Sequence, residues 1–194
     1  MSCARVRQIV DREVTGARRY GVTVSVPAIV EWCLSRSVGR VRLHGGDEAL
    51  AAVLGEAGVN VVEPHGSVDA VLWLRDAAST TPRPALVEGV KNGGWILVEG
   101  SLVVDGRELV PVEVEHNRVS LVASDRGETT RVEFIDGEVS TRPIHVWLLD
   151  QLDAHVEQRG CRLEGRMVDW YGGSVVEASP CHLSWFRNVG AEPG

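Results

Sequence analysis

Between residues 40 and 99 short β-rich runs alternate with helix-period segments, and after Gly100 the apolar period drops to two. That change of rhythm confines the chain to an α/β fold with a mostly parallel part and an antiparallel part. Residues 40–44 read as a first strand, Gly45-Gly46 as a turn, and 47–57 as a helix with Leu50, Val53, Leu54 and Ala57 on its apolar face. Gly58 closes that helix at the position where positive φ is tolerated. Residues 59–63 read as a second strand, which completes a βαβ unit with a glycine-bearing first turn. A third strand is expected at 69–74 and a helix at 82–91 through Ala85, Leu86 and Val90. A fourth strand at 95–99 is entered through Asn92-Gly93-Gly94. The alternation predicts a sheet covered on both faces.

Beyond Gly100, Asp105-Gly106, Asp125-Arg126-Gly127 and Asp136-Gly137 separate Val-rich runs, a hairpin signature that predicts antiparallel strands added to the open sheet at about 101–142. A last helix is expected over 146–159 with Leu149, Leu152 and Val156 inward and Gly160 at its end. Strands follow at 161–168 and around 182–186. Before the sheet, Pro27, Ile29, Val30 and Leu34 have helical spacing. Nearer the N-terminus, Val6, Ile9, Val10 and Val14 alternate with Arg5, Arg7, Arg12, Arg18 and Arg19 as in an amphipathic helix, read as packing on its own core or as a docking helix or lid. The organisation expected is an N-terminal helical segment, 1–37, and an α/β domain, 38–190.

A chain of 194 residues with 44% hydrophobic and 24% charged residues can bury a core without disulfides or metals. Its net charge of −7 argues against nucleic acid as the main partner, because duplex binding needs a basic footprint. Cys3, Cys33, Cys161 and Cys181 show neither zinc-ligand nor redox spacing and read as reduced thiols. No apolar run suits a membrane span, no secretory h-region is visible and no metal is expected, so the cytoplasm is the expected location.

In an open α/β sheet ligands bind beyond the carboxyl ends of the strands, which directs attention to 44–48, 63–65, Arg75, Asp76, Glu99 and Ser101. Asp47 and Glu48 suit a helix N-terminus as caps, the alternative being ligand contacts. Arg75 and Asp76 read as an ion pair or cap, or as proton-placing groups. His145 reads as structural at a helix start, or as a general base for a substrate hydroxyl. Cys181 and His182 are strand neighbours that point to opposite faces and cannot share one site. Among the tryptophans, Trp147 and Trp170 are the ones expected nearest a ligand.

Three segments together resemble the class I S-adenosylmethionine-dependent methyltransferases: the βαβ unit ending in Glu63, the stretch 68–74 with the glycine-pair turn and strand at 89–99, and the run from Trp147 through Gly172-Gly173 to Arg187. The resemblance implies a Rossmann-like sheet, S-adenosylmethionine as cofactor, and Gly45, Gly46 and Glu63 as its binding residues, with Glu63 accepting from the ribose hydroxyls. His145, Asp76 and Arg75 are the catalytic candidates. Two features depart from the family. Its G-x-G turn here reads His44-Gly45-Gly46-Asp47-Glu48, and only residues 64–68 join the second strand to the third, where a parallel crossover takes a dozen or more. The helix, strand and helix that wall the adenine in the family are therefore expected to be missing, with a second strand that is short and irregular or paired differently. The reading that follows is a methyltransferase-like protein degenerate in cofactor binding, acting as a non-catalytic subunit or small-molecule binder, in a homo-oligomer or beside an active relative. The alternatives are an active methyltransferase of a small metabolite and a cofactor-independent enzyme such as a cyclase.

Overall fold

The computed structural model describes residues 26–46, 48–63, 66–74, 77–80, 85–102, 110–115, 118–125, 128–135, 138–144, 146–176, 179 and 181–190. The amphipathic segment expected within residues 1–25 lies outside them. The chain divides into two compact units, one around residues 26–102 and 146–190 and one around 110–144.

The first unit opens with α1 (Val26–Ser35), β1 (Arg40–His44), α2 (Glu48–Glu56), β2 (Asn60–Val61), β3 (Val68–Trp73), α3 (Ala77–Thr80) and β4 (Val90–Ser101). It closes with α4 (Leu149–Glu157), β9 (Cys161–Met167) and β10 (Cys181–Asn188). The strands make one six-stranded sheet in the order β2-β1-β3-β4-β10-β9. β1 pairs in parallel with β2 and β3, and β3 with β4, whereas β10 runs antiparallel to both β4 and β9. One face packs Ile29, Trp32 and Cys33 of α1 and Leu50 and Leu54 of α2 over Val41, Ala70, Leu72, Leu97 and Leu183. The other packs Leu152 and Val156 of α4 with Ala78 and Leu86 over Val71, Trp73, Ile96, Val98 and Phe186. Val53, expected on the apolar face of α2, is instead 39% exposed.

Three expected elements differ. The helix expected at 82–91 is, in its described part, a turn at 85–89 followed directly by β4. Leu86 is fully buried there, which explains its apolar signal, but Gly89 adopts φ 72° and turns the chain into the strand. Asn92-Gly93-Gly94 then falls inside β4 as an irregularity: Val68 pairs with Val90 but Ala70 with Trp95. The second strand, expected at 59–63, is reduced to Asn60–Val61.

That reduction resolves the short crossover. β2 and β3 flank β1 on opposite sides. Val61 stands opposite Val41, and Ala70 pairs with that same Val41, so the chain must return only about two residues' rise while crossing two strand spacings. That is roughly 12 Å, well within the ~23 Å reach of the seven steps from 61 to 68. The dozen-residue rule assumes strands of ordinary length.

Arg42, 6% exposed, holds this crossing in place. Its Nη1 donates to the Glu88 carbonyl at 2.8 Å and its Nη2 to the Gly66 carbonyl at 2.9 Å. Asp69, at the base of β3, accepts from the Gly39 and Arg40 N–H groups, both at 2.8 Å, and pairs with Lys91 at 2.6 Å. Replacing Arg42 by Met leaves two carbonyls without their charged donor, and we expect a loss of roughly 3 kcal/mol in urea unfolding at unchanged m-value. A loss below about 1 kcal/mol refutes the clamp.

The second unit is a four-stranded antiparallel meander, β5 (Val110–Glu115), β6 (Arg118–Asp125), β7 (Glu128–Ile135) and β8 (Glu138–Ile144), in sequential order. The hairpin signature is correct, but these strands form a sheet of their own and do not extend the parallel one. Val132 is buried, while Ile135 and Val139 are exposed.

Candidate functional site

β1, β3 and β4 are parallel, so His44, Trp73 and Ser101 mark one carboxyl edge of the sheet, and β10, running the other way, begins at that edge with Cys181 and His182. The edge is tied together behind β1. The Leu74 N–H donates to the His44 carbonyl at 2.8 Å, and the Ala77 N–H to the Leu74 carbonyl at 2.9 Å. Gly45 has φ 78°, and a Cβ there would lie 2.1 Å from the Leu74 carbonyl oxygen. Gly45 is thus required by the meeting of the β1 and β3 ends, before any ligand is considered. At Gly46 the nearest atoms a Cβ would meet among the described residues belong to the Leu43 and Leu50 side chains, at 3.3 Å and beyond. Both glycines are exposed.

Glu63 is exposed and lies two residues past the end of β2. Continued pairing would bring it opposite Leu43, but the ladder ends with the Val62 N–H on the Val41 carbonyl and the chain crosses to Gly66. Arg75, Asp76 and His145, with Asp47 and His65, lie outside the described residues. Of the expected set, the structure therefore places Gly45 and Gly46 at the carboxyl end of β1 and Glu63 two residues past the end of β2.

Two constellations on the α4 side of the sheet had no counterpart in the sequence reading. In the first, the His44 and Trp73 rings stack with centroids 3.8 Å apart and planes at 7°. Trp73 Nε1 donates to the Leu86 carbonyl at 3.3 Å. Burial, and then the nearby Arg42 charge, push the His44 pKa below its ordinary value, so the ring is a neutral imidazole at pH 7. Trp147 leans on His155 and donates to the Ala78 carbonyl at 3.3 Å.

In the second constellation, Arg166 of β9 donates through Nε to the Ser184 hydroxyl at 2.7 Å and through Nη1 and Nη2 to both Asp153 oxygens of α4. Ser184 Oγ lies 2.8 Å from His182 Nδ1. Arginine is only a donor, so Ser184 accepts from Arg166, and its second lone pair and its proton leave it able to meet His182 Nδ1 as acceptor or as donor. Ser184 is fully buried and His182 1% exposed. The His182 ring occupies the space over Gly100, its Nε2 2.8 Å from where a Cβ would be. Burial, then the Arg166 charge, push the His182 pKa down to about 3. Strand alternation could have placed residues 182 and 184 on one face; their link to Arg166 and Asp153 needs the β9–β10 register, which the sequence does not display.

On the opposite face Arg36 sits over Trp32, Trp95 and Trp185 at 4.6, 5.1 and 5.6 Å from the ring centroids. Trp170, expected nearest a ligand, packs against that core, and its Nε1 has no hydrogen-bond partner among the described residues. Cys33, Cys161 and Cys181 are buried and reduced. Burial raises Cys33 to about 12 against the opposing Arg36 charge, and Cys161 to about 11 against Arg159, so neither supplies a thiolate near neutral pH. Among the described residues no group of three or more His, Cys, Asp or Glu side chains could hold a metal ion, and no helix is long and apolar enough to cross a membrane.

This architecture is the Rossmann-like fold of the class I S-adenosylmethionine-dependent methyltransferases. An S-adenosylmethionine-dependent methyltransferase from Clostridium acetobutylicum superimposes with a TM-score of 0.55 over 96% of this chain and 99% of its own, at 8% identity. CalS10, an amino pentose methyltransferase from Micromonospora echinaspora solved with S-adenosylmethionine bound, gives 0.55 over 92% and 96%, at 14% identity. The CcbJ methyltransferase from Streptomyces caelestis gives 0.53 over 85% and 89%, at 14%. At these identities the likeness is one of fold. No protein-family model matches the chain. Among curated proteins, TRPM8 channel-associated factor 3 of Rattus norvegicus is 30% identical over 99 residues, 48% of this chain, which spans only 11% of that protein's length.

Proposed function

We propose that this chain is a methyltransferase-like protein that does not hold S-adenosylmethionine in the manner of the fold's enzymes and acts as a non-catalytic subunit or binder of a small molecule at the carboxyl edge of its sheet. The observation that carries this reading is the two-residue β2 followed by a direct crossing to β3. A cofactor nucleoside in the family manner needs a carboxylate at the tip of a full second strand and a wall beyond it. Here the sheet ends at β2, and Glu63 lies two residues beyond that short strand, before the Gly66 carbonyl that Arg42 holds. The space next to Gly45 is taken up by the Leu74 carbonyl, so the residues present fit the cofactor poorly. A homo-oligomer, or assembly with an active relative, accords with this role, as does residence in the cytoplasm.

Calorimetric titration of the folded chain with S-adenosylmethionine and S-adenosylhomocysteine is the decisive measurement. We expect no binding at micromolar strength. Micromolar binding abolished by Glu63→Ala refutes the reading and favours an active methyltransferase.

A further inference from the structure

The His44–Trp73 stack has one face to spare. Parallel rings cannot approach much closer than about 3.5 Å, so a centroid distance of 3.8 Å means that the two rings overlap almost fully. His44 and Trp73 are also register partners on neighbouring strands, so the ring normals run across the sheet. One face of His44 therefore meets Trp73 and the other looks toward the β2 side of β1. On that side the ladder stops at Val62, and among the described residues no strand pairs with β1 beyond Val41. Trp73 is 5% exposed whereas His44 is half-buried, so the accessible part of the stack belongs to His44. The next two residues, Gly45 and Gly46, are exposed and bring no side chain to the rim. The stack lies at the carboxyl edge of the parallel strands, where open α/β sheets bind their ligands.

We propose that the outer face of His44 is a stacking platform for a flat heteroaromatic ring of a small molecule, which becomes the third layer on His44 and Trp73 beside the bare Gly45-Gly46 backbone. Trp73 is held by its bond to the Leu86 carbonyl and by burial, so the platform is rigid before the ligand arrives. The neutral imidazole attracts a flat ring by stacking and dispersion. This inference rests on the reading of the carboxyl edge as a small-molecule site. It does not require that the ring belong to S-adenosylmethionine.

The test uses adenosine as a flat-ring probe and ribose as its non-aromatic control, titrated into the full chain and into His44→Phe and His44→Leu, with thermal unfolding as a fold control. Adenosine should bind the wild type and the Phe variant comparably, bind the Leu variant about ten- to a hundredfold more weakly, and shift the His44 ring protons upfield in the wild type. Ribose should not bind. Equal adenosine affinity in a folded Leu variant, or no binding and no ring shift in the wild type, overturns the platform. If the Leu variant does not fold, the wild-type ring shift and the Phe variant decide alone. S-adenosylhomocysteine in the same series separates this inference from the reading beneath it. Binding lost in Glu63→Ala but indifferent to His44→Leu overturns both. Binding of adenosine and S-adenosylhomocysteine with equal, weaker than micromolar strength, both dependent on His44 and indifferent to Glu63→Ala, supports both. No binding of either leaves the non-catalytic reading standing and removes the platform.

Discussion

Between pH 6.5 and 4.5 the protein should lose roughly 2 to 3 kcal/mol of stability, and His182 is the main cause. In the folded chain burial and Arg166 hold this imidazole at a pKa of about 3, while an unfolded histidine takes up its proton near 6.5. The unfolded state therefore binds more protons throughout that window, and stability rises with pH across it. The contribution is intact above about pH 6.5, falls by about 1.4 kcal/mol per unit below it, and is exhausted near pH 3 after roughly 4 kcal/mol. Burial shifts His44 in the same direction. Asp69 contributes only lower on the scale. Burial alone would raise its carboxyl, but Lys91 and the Gly39 and Arg40 N–H groups hold it below the usual value, and the stability it confers is lost as pH falls through that folded pKa. Urea unfolding at half-unit steps for the wild type and His182→Gln measures the effect. The slope above pH 4.5 should flatten markedly in the variant, and parallel slopes would falsify the assignment.

The second large effect is expected from a single methyl group. Gly45→Ala places a Cβ where the Leu74 carbonyl oxygen stands, at 2.1 Å, on a residue with φ 78°. The left-handed backbone costs an alanine about 1–2 kcal/mol, and relieving a clash with main chain adds about 1–3. A total near 3 kcal/mol lowers the unfolding midpoint by roughly 6–12 °C in a chain of this size. Since the Leu74 N–H bonds the His44 carbonyl, its hydrogen-exchange protection should fall first. Gly46→Ala is the control: its nearest neighbour is a rotatable Leu43 methyl at 3.3 Å, and we expect less than about 1 kcal/mol. If both variants behave alike, Gly45 is not the joint between β1 and β3. The outcome bears on function, because a glycine fixed by the fold is no argument for a cofactor loop.

What the sequence displayed was local. Arg40–His44 as a strand and Gly58 and Gly160 as helix stops are set by period and by the φ 83° and 74° that glycine supplies, and all three were legible. The expected helix at 82–91 failed because Leu86 and Val90 have helical spacing for unrelated reasons, one filling the core from a turn and the other opening β4. The crossover was legible as an anomaly and not as a solution, since its length makes sense only once β2 is known to be two residues long. That Gly45 and Gly46 follow β1 at the carboxyl edge was legible from the strand–turn–helix pattern. The His44–Trp73 stack and the Arg166–Ser184–His182 chain depend on strand register, which aligns residues 29 and 18 positions apart. No pattern within a single segment encodes that alignment.

The long-range pairing of β4 with β10 also governs how the chain assembles. Ser101 meets Cys181 across about eighty positions of sequence, while β1 reaches its partners within about thirty and each strand of the antiparallel unit pairs with its immediate successor. Loop-closure entropy grows with the length enclosed, and folding slows as contacts become more distant. The meander, whose described strands pair with sequence neighbours, shortens the loop that β10 must close by gathering the middle of it. We therefore expect the arrival of β10 to be the late event that buries His182 and covers the β4 edge, which before then is open to pairing with another strand.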